Sequence, residues 1–386
     1  MKTLNKLIFT TLRGRTAAVL ASDKRILQIE FEGKEAAEQI GTIYIGKVRN
    51  VVKNLNAAFV EYMPGVNGYY SLNDNHVHVF ADGSLSDRVL KSGDEILVQI
   101  ARAAVKTKDA VLSGELTVTG RYAVVLSDRS KFGISTKIRD KKWREEFRKN
   151  WELSDAPCGA IIRTNAYQAP FEVVLEEVRE LKGRLEKICR DGAFRTPHSV
   201  LYRPDSFAAS IVRDMNLKET EEIVTDLPNV YEELKNCGIP VRFYEDNYPL
   251  RSLYRLEFAL DQATGKNVWL KSGGYLVIEP TEAMTVIDVN TGKNADKKTP
   301  EDTYFKTNME AAAEIAAQLR LRNLSGIIIV DFIDMADENH NAELLSTFKK
   351  YLSADPVKTT LVDMTALGLV EVTRKKGKRP LHEQIR

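Results

Sequence analysis

Two carboxylates and an amide stand at the ends of two apolar segments, and no other pattern in the chain has so clear a capacity for chemistry. In Thr285-Val286-Ile287-Asp288-Val289-Asn290 the two-residue period of a strand puts Asp288 and Asn290 on one face, while Ile287 and Val289 point toward a core. In Gly326-Ile327-Ile328-Ile329-Val330-Asp331 an uninterrupted apolar strand delivers Asp331 at its C-terminal end, where α/β sheets tend to bind ligands. Carboxylates on neighbouring buried strands repel each other unless a proton or a cation intervenes. Oxygen donors with few nitrogens or sulfurs suit Mg²⁺, with Mn²⁺ as a substitute. A metal so held activates water and stabilises charge developing on a phosphodiester, and the Asn290 amide would orient a carboxylate or a phosphate oxygen. The competing reading is turn chemistry, because an aspartate at a strand end commonly caps the turn or helix that follows. Spacing alone leaves both open. For Asp334, three residues further on, a helix cap is the preferred reading and a further metal neighbour the alternative.

These residues need a sheet to carry them. Apolar strands at 275–278, 284–289, 326–330 and 359–362 alternate with helical patterns at 302–322 and 342–352, which predicts an α/β layer with a buried sheet. Upstream, short strands at 7–12, 16–21 and 25–31 form a β-meander. Strands at 41–52, 57–62, 68–72 and 95–101, with a Gly93-Asp94 turn, suggest a small closed barrel of the OB type. A second strand-rich stretch, 121–126 through 161–164, encloses a charged helical piece at 141–150. Residues 171–191 repeat Val174, Val178, Leu181 and Leu185 at helical spacing with a charged opposite face. Between 199 and 263 the pattern weakens: 210–215 and 219–224 are ambiguous, 229–236 reads as helix and 241–244 as strand.

Bulk properties exclude little. At 386 residues, 43% hydrophobic and 28% charged, the chain has the composition of a globular protein of two or three domains, and its net charge of +2 does not by itself imply a nucleic-acid partner. Cys158, Cys189 and Cys237 are far apart with no Cys-x-x-Cys pair, so buried reduced thiols are expected. No apolar run approaches the ~18 residues of a membrane span, and the N-terminus lacks a secretory core, so a cytoplasmic location is expected.

Four strings identify a resemblance: 281–290 around Asp288, Thr307-Asn308-Met309-Glu310-Ala311-Ala312, Gln318-Leu319-Arg320-Leu321-Arg322, and Ile329-Val330-Asp331-Phe332-Ile333-Asp334-Met335. Together they resemble the catalytic core of the RNase E/RNase G endoribonucleases. The resemblance implies that Asp288 and Asp331 are Mg²⁺ ligands with Asn290 as their polar companion. It also implies cleavage of single-stranded RNA to 5′-phosphate and 3′-hydroxyl ends, in rRNA or tRNA processing or mRNA decay. Lys293 falls where the family has a basic residue beyond the Asp-x-Asn pair.

The implied fold is α+β and multidomain. It comprises an RNase H-like subdomain (1–37 and 201–263), an inserted OB-fold RNA-binding domain (38–117), a 5′-sensor region (118–200) and a DNase I-like catalytic subdomain (264–386). In the OB-fold, 57–62 and Gly68-Tyr69 look like the family's stacking platform, with Phe59 and Tyr69 as the aromatics and Lys108 as the basic residue beside them. Base stacking tolerates any sequence, so exposed aromatics beside lysines fit RNA, whereas a core aromatic is the competing reading of Phe59. Arg163-Thr164 resembles the 5′-monophosphate sensor, with Lys137 as a weaker member. The family's Cys-Pro-x-Cys zinc link is not found before the chain stops at Arg386, so an interprotomer zinc is unsupported and the assembly, a homo-oligomer included, stays open. The basic tail from Arg374 reads as a solvated terminus, with contact to the RNA backbone as the alternative. Two other functions compete, a non-catalytic RNA-binding or ribosome-assembly factor and a DNA-directed phosphodiesterase.

Overall fold

The computed structural model describes residues 5–22, 25–33, 40–104, 109–154, 158–167, 169–214, 220–292 and 300–385. The chain forms two compact units, one made of Met1–Glu32 with Leu217–Arg386 and the other of Gly33–Asn216.

In the second unit, strands Ile43–Val52, Ala57–Met63, Val66–Ser71, Ala110–Ser113 and Glu95–Arg102 are neighbours in that order, and the last pairs back onto the first. Closure removes the sheet edges, which explains how strands this short hold together. The expected OB-like barrel is therefore present. Its interior is filled by Tyr44, Val48, Val60, Tyr62, Tyr70, Ile96, Val98 and Leu112. Beside it, strands Thr117–Thr119, Ala123–Leu126, Gly159–Ile162 and Phe132–Ile134 make a four-stranded sheet. The helix Phe171–Gly192 contributes Val174, Val178, Leu181 and Leu185, as its spacing predicts, to the core shared with that sheet.

The first unit contains two sheets. Strands Asn5–Leu12, Arg15–Ser22 and Ile26–Phe31 form the expected meander, and Asn5–Leu12 also pairs in parallel with Thr220–Thr225, which resolves the described part of the ambiguous 219–224 stretch as a strand. The described part of the 210–215 stretch, in the other unit, belongs to the helix Phe207–Asp214.

The other sheet carries the carboxylates. Its strand order is Asn267–Trp269, Tyr275–Pro280, Met284–Asn290, Gly326–Asp331, Val370–Arg374, Thr359–Met364. Met284–Asn290 and Gly326–Asp331 are parallel, joined through the helix Pro300–Leu321. That helix and Glu338–Ser353 pack on the face made by Leu276, Ile287, Val289, Ile328, Val330 and Val372. The expectation of a buried sheet holds for one face only: Ile327, on the opposite face, is 49% exposed. Both helices lie on one face, and the other is left open.

Two further expectations fail. Cys158 is buried and Cys189 half-buried, but Cys237 is exposed, just past the helix Pro228–Asn236. Arg374 is not the start of a solvated tail. It belongs to a strand inserted between two others and is only 4% exposed, while Leu381 further along is fully buried. No helix among the described residues is long and apolar enough to cross a membrane.

Candidate active site

The pleat of Met284–Asn290 sorts its side chains as expected, with Thr285, Ile287 and Val289 buried and Asp288 and Asn290 half-buried on the open face. In the parallel register Asp288 stands directly opposite Asp331. Paired residues on adjacent strands share a face, so both carboxylates rise from the open side at the strands' C-terminal ends. The Asn290 amide donates to Asp288 Oδ2 at 2.8 Å, which orients that carboxylate. The Asp331 carboxyl is pushed above the usual range by partial desolvation, then by the negative charges of Asp288 and Asp334. Among the described residues the charged groups that bear on Asp331 in this way are both acidic, an arrangement that favours a cation.

Asp334 is not the helix cap. The cap of Glu338–Ser353 is Asp337, whose side chain accepts from the Asn339 amide at 2.8 Å. Asp334 is left exposed, close enough for its charge to bear on Asp331. Among the described residues no three His, Cys, Asp or Glu side chains converge into a ready-made metal cage. Two carboxylates still fit Mg²⁺, which commonly keeps several waters and takes its remaining oxygens from a phosphate substrate. Lys293 lies outside the described residues.

On the barrel, Phe59 and Tyr69 are opposite each other in the register of two antiparallel strands. Ala58, Val60 and Tyr70, their chain neighbours, are buried inside, so the pleat turns Phe59 and Tyr69 outward. Phe59 is therefore not a core aromatic. The rings are 6.2 Å apart at 76°, an edge-to-face corner and not one flat platform. The same row continues through Val111 to Arg102, an exposed cation that sequence reading did not single out. Lys108 lies outside the described residues.

The sensor pair is divided. Arg163 donates to the Gly120 carbonyl at 2.5 Å and to Asp214 Oδ1 at 2.8 Å. Thr164 Oγ1 lies 3.1 Å from Ser135 Oγ, which also accepts from the Lys137 amide at 3.4 Å. Burial pushes the Asp214 carboxyl up, but the Arg213 and Arg163 guanidiniums outweigh it and hold the group below the usual range. Thr164 and the Lys137 backbone thus meet at Ser135, while Arg163 is pinned by an aspartate that sequence spacing could not associate with it.

A family model described as the Ribonuclease E/G family matches residues 117–377. The chain belongs to that family. It is 35% identical over 359 residues to the ribonuclease E of Nostoc sp., covering 89% of this chain and 52% of that protein. It is 34% identical over 383 residues to the ribonuclease G of Escherichia coli K12, covering 94% and 78%. With the ribonuclease G of Haemophilus influenzae the identity is 32% over 399 aligned residues, covering 98% and 81%. The chain spans about half the length of the cyanobacterial ribonuclease E proteins that it matches.

Within this ribonuclease E/G chain, three residues of the helix Pro300–Leu321 position the loops around the carboxylates. The fully buried Asn308 donates to the Ile333 carbonyl at 2.8 Å and accepts from the Ile333 amide at 3.1 Å, which fixes the segment just after Asp331. Glu310 accepts from the amides of Lys271 and Ser272 at 2.6 and 3.0 Å, which fixes the turn before Tyr275. Glu301 accepts from the amides of Ala336 and Asp337. That turn also lies against the end of the Asp288 strand. A Cβ on Gly274 would fall 2.6 Å from the Asn290 carbonyl oxygen, and one on Gly292, at φ +62°, 2.2 Å from that of Gly273. Only glycine permits so close a backbone approach. Asn308 and Glu310 lie in one of the resembling strings, yet their roles depend on contacts about 25 and 39 residues away in sequence.

Proposed function

We propose that this chain is a Mg²⁺-dependent endoribonuclease that cuts single-stranded RNA to leave 5′-phosphate and 3′-hydroxyl ends. The observation that carries this reading is the direct pairing of Asp288 with Asp331, with Asn290 hydrogen-bonded to the first, on the open face of a sheet in a ribonuclease E/G family member. Asp288 and Asp331 are the residues to hold Mg²⁺, with Mn²⁺ as a substitute. Bound there, the metal supplies an activated water and neutralises charge on the scissile phosphate. Asn290 keeps Asp288 oriented, and Asn308 keeps the backbone beyond Asp331 in place. Cleavage of a short 5′-monophosphorylated single-stranded RNA with Mg²⁺, with product ends mapped, tests the reading. Binding without cleavage at any Mg²⁺ or Mn²⁺ concentration would instead mark an RNA-binding factor.

The same reading assigns the sheet of residues 264–386 to a DNase I-like subdomain, residues 1–37 with 201–263 to an RNase H-like one, and 118–200 to 5′-end sensing. It places the protein in the cytoplasm, in RNA processing or decay, and leaves room for a homo-oligomer. On the barrel, Phe59 and Tyr69 stack on bases. Replacing either by alanine is expected to weaken binding of single-stranded RNA by about 5- to 100-fold, on ~1–3 kcal/mol per stacked base. Fluorescence anisotropy with a labelled oligonucleotide measures this, and a loss under twofold for both variants counts against the platform.

For the sensor, a terminal phosphate must compete with Asp214 for the Arg163 fork. Arg163→Ala is expected to narrow the preference for 5′-monophosphate over 5′-hydroxyl RNA. Asp214→Asn, which frees the fork, is expected to widen it, each by about tenfold on the strength of one charge-assisted hydrogen bond. Ratios of kcat/KM on the two substrates decide it, and unchanged ratios in both variants remove Arg163 from the sensor.

A further inference from the structure

The open face of the carboxylate sheet carries an aromatic pair that the proposed reaction does not yet use. Trp269, on the edge strand Asn267–Trp269, is opposite Tyr275, and Tyr275 is opposite Asn290. Paired residues in antiparallel strands share a face, so Trp269, Tyr275 and Asn290 form one row across the sheet. The next row is Asn267, Val277, Asp288 and Asp331. Val268 lies on the opposite, core side with the helices, so Trp269 belongs to the open side. At strand spacings of roughly 4.8 Å, Trp269 begins about 10 Å from Asn290.

Trp269 is 69% exposed, an unusual expense for the largest apolar side chain, and its ring is 5.3 Å from that of Tyr275 at 51°. Its position is fixed. The Leu270 amide donates to the Gly274 carbonyl at 2.8 Å, and Glu310 holds the turn at Lys271 and Ser272. Lys271, two residues from Trp269, is exposed. An aromatic face beside a lysine, in line with a phosphodiester-cleaving centre, has the composition of a single-strand binding surface.

We propose that Trp269, supported by Tyr275, stacks on a nucleobase of the RNA close to the scissile phosphate, a second stacking subsite besides the barrel aromatics. The proposal rests on the endoribonuclease reading. RNA is favoured over a protein occupant because the aromatic row lies next to the row of Asp288 and Asp331, carboxylates that have no cationic partner among the described residues. A protein covering that row would bury their charge at a cost of several kcal/mol per ion, whereas a metal-bearing RNA backbone neutralises it.

The test uses the full chain and a set of 5′-monophosphorylated single-stranded RNAs, one intact and the others abasic at successive positions flanking the cleavage site. Trp269→Ala is expected to lower kcat/KM on the intact RNA by about 5- to 100-fold. On the RNA lacking the stacked base its effect should nearly vanish, and Trp269→Phe should restore most of the loss. An equal loss on every abasic RNA, or no loss at all, overturns the proposal. So does a change in molecular mass by light scattering with kcat/KM unchanged, which would assign the row to a second copy of the chain. If the wild-type protein cleaves no RNA, the endoribonuclease reading fails separately. The same abasic series read by binding anisotropy then decides the stacking: a base-specific loss in Trp269→Ala upholds it and its absence overturns it.

Discussion

Replacing Asp288 or Asp331 by asparagine is expected to lower RNA cleavage by at least about 10²–10³-fold, the scale on which loss of one group that stabilises transition-state charge is felt. Asparagine keeps the size and polarity of aspartate, so the strand register that pairs the two positions has no reason to change. What is lost is the negative charge proposed to hold a hard cation. Stability should move the other way for Asp331. Its carboxyl titrates above the usual range in the folded protein because of partial desolvation and of repulsion from Asp288 and Asp334. A folded-state pKa above the unfolded one means that the folded protein favours the protonated form. The ionised group therefore costs stability at neutral pH, and the cost fades as pH falls through the carboxylate range.

Without metal, Asp331→Asn should melt at or slightly above the wild-type temperature at pH 7, with the difference closing in acid. Added Mg²⁺ should raise the melting temperature of the wild type and leave the variant unmoved. Thermal melts in EDTA and in Mg²⁺, beside cleavage rates, check these together. Wild-type cleavage in both asparagine variants would remove the carboxylates from the chemistry, whatever the melts show.

Asp355→Ala is expected to destabilise the carboxylate-bearing unit by about 3–5 kcal/mol, the usual cost of leaving one member of a buried ion pair without its partner. Arg374 Nε donates to Asp355 Oδ2 at 2.8 Å, and the two side chains are 3% and 5% exposed. Arg374 Nη1 also donates to Asn323 Oδ1 at 2.9 Å and to the Leu324 carbonyl at 3.0 Å. The guanidinium thus ties the strand Val370–Arg374 to the turn before Gly326–Asp331 and to the end of the helix Glu338–Ser353. With Asp355 gone, the neutral acceptors remain but the buried positive charge has no counter-charge. Replacing both partners, as in Asp355→Ala with Arg374→Met, should recover much of the loss, because no lone charge is then buried. Urea denaturation followed by circular dichroism measures each corner of this cycle. A single-variant loss below about 1 kcal/mol would show that the pair behaves like an exposed one.

What could be read from the sequence was whatever depends on near neighbours. The period of two in 284–290 already separated Asp288 and Asn290 from their buried neighbours, because alternation along a strand is a local property of the backbone, whereas Phe59 stayed open between core and surface until the barrel pairing turned it outward. The long helix after Asp288 and the amphipathic helix at 171–191 followed from spacing in the same way. The strings around Asp288 and Asp331 pointed to the ribonuclease E/G family for a related reason: short ordered segments can be matched without knowing where they lie in space.

Tertiary structure alone decided which segments meet. Asp288 faces Asp331 across 43 residues of sequence only because two strands pair in that register. Asp214 reaches Arg163 across 51 residues, and Asn308 grips Ile333 through a side chain that reads as an ordinary helical amide. Arg374 looked like the first residue of a basic tail because its sequence neighbours are lysines, whereas pairing on both sides buries it beside Asp355. Trp269 gave no signal in a three-residue strand, since its exposure depends on both helices choosing the opposite face. The sequence by itself determined the pleats, the helices and the family. The opposed carboxylates, the pinned arginine and the exposed tryptophan beside the site arose from long-range pairing and one-sided packing, which no local pattern encodes.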